Sequence, residues 1–191
     1  RYFWIYYNKC GELRWVCHWS KYLIMAELFN LNLFNDADLK SYWRMEGNSN
    51  DAKGSNNGGD TATTYSTANG KYGQGVGLDG ATSKSDLTDT TPGLNVSSFS
   101  ISCWVNLSAS QSSRIFFCKY YSVNGSGIAL GIDDATADKI KLFTADTTTS
   151  NTLTSAIAIT TGGWHHILGT ATSGDQKIYI DGVQNASNTS T

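Results

Sequence analysis

Hydrophobic and polar positions alternate most cleanly along Phe99-Ser100-Ile101-Ser102-Cys103-Trp104-Val105. Phe99, Ile101, Cys103 and Val105 fall on one face, and Ser100, Ser102 and Trp104 on the other. A period of two predicts a strand with one face in an apolar core and a polar second face carrying one large aromatic. The pattern has company downstream. Arg114–Tyr121 is strand-like in composition though apolar on both faces, and Gly127–Ile132, Lys139–Phe143, Trp164–Leu168 and Lys177–Gly182 follow it. Asp-, Gly- and Thr-rich turns separate these stretches, and no helical period intervenes. Strands recurring at roughly ten-residue spacing predict an all-β, antiparallel two-sheet sandwich.

Upstream the signal is weaker. Leu39–Met45 reads as a first strand that runs into Glu46–Gly54, a loop rich in oxygen donors and glycine. Residues 55–71 are polar and read as a long surface connection. Lys71–Gly80 reads as a glycine-relaxed strand ending in an Asp79-Gly80 turn. The apolar residues of Ala26–Phe34, interrupted by Asn30 and Asn32, fit a short lead-in helix or an extended edge segment alike. Residues 1–24 are different again. Eight of them are aromatic (Tyr2, Phe3, Trp4, Tyr6, Tyr7, Trp15, Trp19, Tyr22), without a period of 2 or 3.6, and Arg1, Lys9, Arg14 and Lys21 make the stretch basic. Aromatic and basic residues suit a membrane-surface or partner-binding arm, but Met25 begins a more ordinary sequence. The expected organisation is therefore residues 1–24 outside the domain, a lead-in over 25–38, and the sandwich over 39–191.

Charge and composition narrow the partners. A formal charge of -2 with 16% charged residues offers no basic field for nucleic acid. No apolar run approaches the ~18 residues that span a bilayer, and none has the make-up of a secretory signal. The four cysteines, at 10, 17, 103 and 118, are too few for a disulfide framework. Cys103 reads as a buried thiol on the core face of its strand. Cys118 lies on the next strand, where a cross-strand bridge is conceivable in an oxidising compartment.

Candidate chemistry is sparse, and no catalytic residue is assigned. Hydrolysis by paired acids needs two carboxylates about 5–10 Å apart, whereas Glu12, Glu27 and Glu46 are the only glutamates. The aspartates of Asp79-Gly80 and Asp181-Gly182 read as turn formers. His165 and His166 are neighbours on a strand, face opposite ways and cannot share one metal. One of them is expected in the core beside Trp164, the other at solvent or a hydrogen-bond partner. Gly75-Val76-Gly77 lacks the helix that a phosphate loop needs, and no Gly-x-Ser-x-Gly elbow seats a nucleophile. The loop Glu46–Gly54 is the one metal candidate. Hard cations take six to eight oxygens, and Glu46, Asn48, Asn50 and Asp51 cluster there, with the carboxylates of Glu46 and Asp51 as the expected Ca2+ ligands.

The order of motifs resembles the laminin-G-like (concanavalin A-like) jelly-roll family, in particular its bacterial and phage modules. The resemblance rests on Tyr42-Trp43-Arg44-Met45-Glu46-Gly47 with Asp51 and Gly54, then Gly73-Gln74-Gly75 through Leu78-Asp79-Gly80. Phe99–Val105, Trp164-His165-His166-Ile167 and Ile178-Tyr179-Ile180-Asp181-Gly182-Val183 complete it, over roughly residues 39–184. It implies a noncatalytic binding or adhesion module of a larger secreted, cell-surface or virion protein. Its ligands would be glycans or protein surfaces held at the loop rim or concave sheet, and a structural calcium would lie near the first strand. It also implies that Trp43, Trp104 and Trp164 serve mainly in packing, and that a final strand is missing after the hairpin near Thr191. A purely structural spacer or decoration domain is the alternative. A glycoside hydrolase fits the acid inventory least. No ligand-binding residue is assigned at this level.

Overall fold

The computed structural model describes residues 3–6, 37–87, 98–121, 126–145, 148–172 and 175–188. Its first six strands are β1 (Phe3–Tyr6), β2 (Ser41–Trp43), β3 (Gly58–Thr61), β4 (Thr64–Ser66), β5 (Gly75–Gly77) and β6 (Lys84–Leu87). Then come β7 (Phe99–Val105), β8 (Ile115–Tyr121), β9 (Ser126–Ile132) and β10 (Lys139–Ala145). The last four are β11 (Ser150–Ala158), β12 (His165–Thr172), β13 (Asp175–Ile180) and β14 (Val183–Asn188). The one helical piece among the described residues is a 3-10 turn at Thr67–Asn69, whose first residue follows the capping hydroxyl of Ser66. No helix among them is long and apolar enough to cross a membrane.

Two sheets make the sandwich. One has six strands in the order β14-β13-β12-β7-β1-β2, and the other is the meander β11-β10-β9-β8. All the pairings are antiparallel, and the short ribbons β3-β6 and β4-β5 complete the set. The all-β jelly-roll expectation is met.

The alternation along β7 explains how the layers meet. Phe99, Ile101, Cys103 and Val105 are buried, joined by Ile167 and Ala171 of β12 and by Ile178 and Ile180 of β13. Leu130, Ile132, Ile140, Leu142 and Leu153 face them from the second sheet. Burial of such side chains contributes about 1.5–3 kcal/mol each. Gly169 lies opposite Ile101 in the β7–β12 register. A methyl group there would sit 3.1 and 3.2 Å from the Leu130 and Leu142 methyls, so the absent side chain lets the sheets close. At the far edge Trp43 of β2 meets Phe117 of β8, ring centres 6.1 Å apart.

Several sequence expectations need correction. Residues 55–71 carry β3, β4 and the 3-10 turn in place of a structureless connection, and β6 and β11 had no clear forecast. Cys103 and Cys118 are both free thiols. Cys103 is buried in the six-stranded sheet, while Cys118 is exposed on the other sheet, so no bridge joins them. Within the aromatic N-terminal stretch, Phe3–Tyr6 forms β1, paired with β7 (Ile5↔Ile101) and with β2 (Trp4↔Tyr42). The rest of residues 1–24 and the lead-in up to residue 36 lie outside the described residues, and with them Cys10, Cys17, Glu12 and Glu27.

The two Asp-Gly turns are as expected. Asp79 Oδ1 accepts from the N–H groups of Ala81, Thr82 and Ser83. Those bonds, Ala81's first, hold its carboxyl well below the usual carboxylate range. Asp181 and Gly182 both take positive φ, 52° and 82°, and join β13 to β14 by the tight turn favoured in two-residue hairpins.

Candidate binding site

The outward face of β7 carries Trp104, half-buried and outside the core. Its cross-strand partner on β12 is His166, and the two rings lie 5.2 Å apart, tilted by 49°. Ser102, also buried on that face, shares a 2.7 Å hydrogen bond between its Oγ and Nε2 of His166. The expectation of an imidazole packed beside a tryptophan in the core becomes His166 packed on Trp104 outside it.

A distant loop completes the cluster. Tyr72, 41% exposed, meets Trp104 edge-on, with ring centres 6.0 Å apart and planes at 85°. The Lys71 ammonium lies 5.1 Å from the Trp104 centroid and 5.9 Å from that of Tyr72. The two rings thus stand at right angles with a cation over both. T-shaped pairs and ammonium–ring contacts of this kind are each worth about 0.5–1.5 kcal/mol.

Glu46 holds this loop in place. Its Oε2 accepts from the Gln74 N–H at 3.1 Å. Gly73 turns through φ +69°, and a methyl group there would run into the Glu46 carboxylate. The residue expected to bind metal therefore grips the turn that presents Tyr72. Asp51, the second expected ligand, is 7% exposed and organises a different turn. Its Oδ1 accepts from the N–H groups of Tyr42 and Lys53, each at 2.9 Å, and its Oδ2 from Asn56 at 3.2 Å. Three backbone N–H groups thus take up three of the roughly four lone-pair sites of the Asp51 carboxylate. Among the described residues no group of three or more His, Cys, Asp or Glu is placed to hold a metal ion.

On the other side of β12, His165 links Asp181 (Nδ1···Oδ2, 2.7 Å) to Thr160 (Nε2···Oγ1, 2.9 Å). The order acid–imidazole–hydroxyl is that of a hydrolytic relay, but its links secure backbone. Asp181 Oδ1 accepts from the His166 N–H, and the Asp181 N–H donates to the His166 carbonyl. The chain of bonds ties the β13–β14 turn to the start of β12.

Burial pushes the His166 imidazole below its ordinary 6.5, with the Asp181 charge opposing. The unfolded chain therefore takes up a proton before the folded one does. The associated stability is fully present above about pH 6.5 and is lost as pH falls through the lower folded value. Melting scans between about pH 7.5 and pH 5 should show a fall in Tm that flattens in His166→Gln. An unchanged slope in the variant would place the titrating group elsewhere.

Of these residues, Trp104 was legible as outward-facing, whereas Lys71, Tyr72 and His166 were not foreseen as its companions. The available signal was an aromatic set beside glycine, Lys71-Tyr72-Gly73, in an otherwise polar region.

No curated protein matches the chain. Among solved structures, domain 4 of AbnA, a GH43 extracellular arabinanase from Geobacillus stearothermophilus in complex with arabinotriose, is similar at TM-score 0.63 and 23% identity. The alignment covers 80% of this chain and 75% of that one. A segment of an S-layer domain-containing protein from Clostridium thermocellum aligns at TM-score 0.45 and 25% identity, over 83% of this chain and 70% of that chain. Residues 79–191 match the family model described as the concanavalin A-like lectin/glucanases superfamily. That span runs from the Asp79 turn through all of β7 to β14, and Lys71 and Tyr72 lie outside it. By a match over more than half its length, on a sandwich of the corresponding kind, this chain belongs to the concanavalin A-like lectin/glucanase superfamily.

Proposed function

We propose that the protein is a noncatalytic carbohydrate-binding module, an accessory part of a larger extracellular or surface protein. The observation that carries the reading is the perpendicular pair of exposed Tyr72 and outward-facing Trp104. Flat apolar rings with hydrogen-bonding groups beside them suit sugars, which offer an apolar ring face and a polar edge. A similarly folded domain in complex with arabinotriose supports the same reading.

The carboxylates support the noncatalytic part. A general acid needs a raised proton affinity, whereas the described carboxylates with a resolved shift are all moved down. Burial pulls Asp133 up, but the N–H groups of Thr136 and Ala135 outweigh it. Asp134 is lowered by Lys141 beside it.

Calorimetric titration with arabinotriose and a panel of other glycans tests the reading. Trp104→Ala and Tyr72→Ala should each weaken binding roughly tenfold, with cooperative melting showing that both variants remain folded even where Trp104→Ala lowers the melting temperature. A folded protein that binds no glycan of the panel would be a spacer or decoration domain.

A further inference from the structure

We propose, building on the glycan-binding reading, that the preferred ligand is an anionic saccharide. Its ring would lie in the Tyr72–Trp104 corner while Lys71 receives its carboxylate or sulfate.

The ammonium of Lys71 carries three donors and no acceptor. Among the described residues its contacts are two aromatic faces, and no carboxylate lies within ion-pair reach of it. The carboxylates of Glu46 and Asp181 already have hydrogen-bond partners. Glu46 accepts from Gln74 on the Gly73 side of the loop, and Asp181 is bonded to His165 and to the His166 N–H. A cation held over rings without a counter-charge gains most from an anion delivered to the same spot, through a charge-assisted hydrogen bond. The ring corner restricts which anion arrives, because a bare phosphate or an acidic peptide side chain gains little from two perpendicular aromatic planes. A sugar ring gains from both. The formal charge of the chain is -2, so long-range attraction of polyanions in general is weak and the selectivity must be local.

The test is calorimetric titration of the intact chain, at low ionic strength, with three trisaccharides: neutral arabinotriose, trigalacturonate and a sulfated galactan trimer. At least one anionic trimer should bind about tenfold more tightly than the neutral one, the increment of a single charge-assisted hydrogen bond. The two anionic arms tell carboxylate from sulfate. Lys71→Gln should erase the preference and Lys71→Arg should retain it, with melting temperatures reporting that both fold. Tyr72→Ala should weaken every arm that binds by a similar factor. Equal affinity for neutral and anionic trimers, or a preference that survives Lys71→Gln, overturns this proposal while leaving glycan binding intact. Failure of all three trimers to bind overturns it outright. Failure of the wider glycan panel as well removes the functional reading beneath it.

Discussion

Replacing Ile101 by alanine is expected to lower the free energy of unfolding by about 2–5 kcal/mol, one of the largest single-site effects in this chain. The side chain is 1% exposed and sits on β7, with β12 on one side and β1 on the other. Its cross-strand neighbours are Gly169 and Ile5. Neither layer can relax into the cavity easily. Gly169 has no side chain to offer, and Leu130 and Leu142 already press against it from the opposite sheet. Ile157→Ala is the matched control, since that isoleucine is 59% exposed on β11. Its change should stay within about 0.5 kcal/mol. Urea unfolding of both variants decides the matter. Equal, small losses would mean that β7 does not face an apolar interior, and the sandwich as described would be wrong.

The second large effect is expected at Asp51. Its carboxylate receives the N–H groups of Tyr42, Lys53 and Asn56, while its own N–H donates to the Asn57 side chain. A bridge also pairs Asp51 with Trp43, and the Trp43 indole donates to the Asn56 carbonyl at 2.6 Å. Asp51→Ala strands these donors where little water reaches them. Each buried donor left unpaired costs about 1–3 kcal/mol, so a loss of about 3 kcal/mol or more is expected from thermal or urea unfolding. Asp51→Asn keeps one acceptor oxygen and should lose less. The same melting experiment addresses calcium. A higher Tm in millimolar calcium that Asp51→Asn abolishes would show an ion held at this loop, and no change leaves the loop to the protein's own hydrogen bonds. A nearly neutral Asp51→Ala would deny the loop its organising role.

How far the sequence was legible depended on whether burial imposed a period. β7 was readable to the residue because one of its faces is apolar and the other is not. β11 was not, because it runs along a sheet edge where only Leu153 and Ser155 are buried, and its other positions mix Ser, Asn and Thr with an exposed Ala156-Ile157-Ala158 run. The β3-β6 ribbon was hidden for a similar reason, since Gly58 and Gly59 carry no side-chain signal. The candidate site was half visible. Alternation pointed Trp104 away from the core, but nothing local announces that Tyr72 arrives from another part of the chain. That meeting depends on the Gly73 turn and its Glu46 clamp, a contact between residues far apart in sequence. Glu46 and Asp51 were singled out for their oxygens, and in the fold those oxygens accept from backbone N–H groups. An oxygen-rich loop serves a cation and a set of backbone N–H groups equally well, because both present positive charge to the same lone pairs.

The strand order has a kinetic corollary. β8 to β11 pair with their neighbours in sequence, as do β12 to β14, so each set can zip up locally and soon. β7, by contrast, must find β12 across about sixty residues, which include the whole of the second sheet, and the entropy of closing so long a loop is lost before any contact rewards it. β1 must cross a still longer stretch to reach β7 (Ile5 to Ile101), so both seams of β7, the one to β12 on which Trp104 and His166 meet and the one to β1, are expected to close after the local meanders have formed.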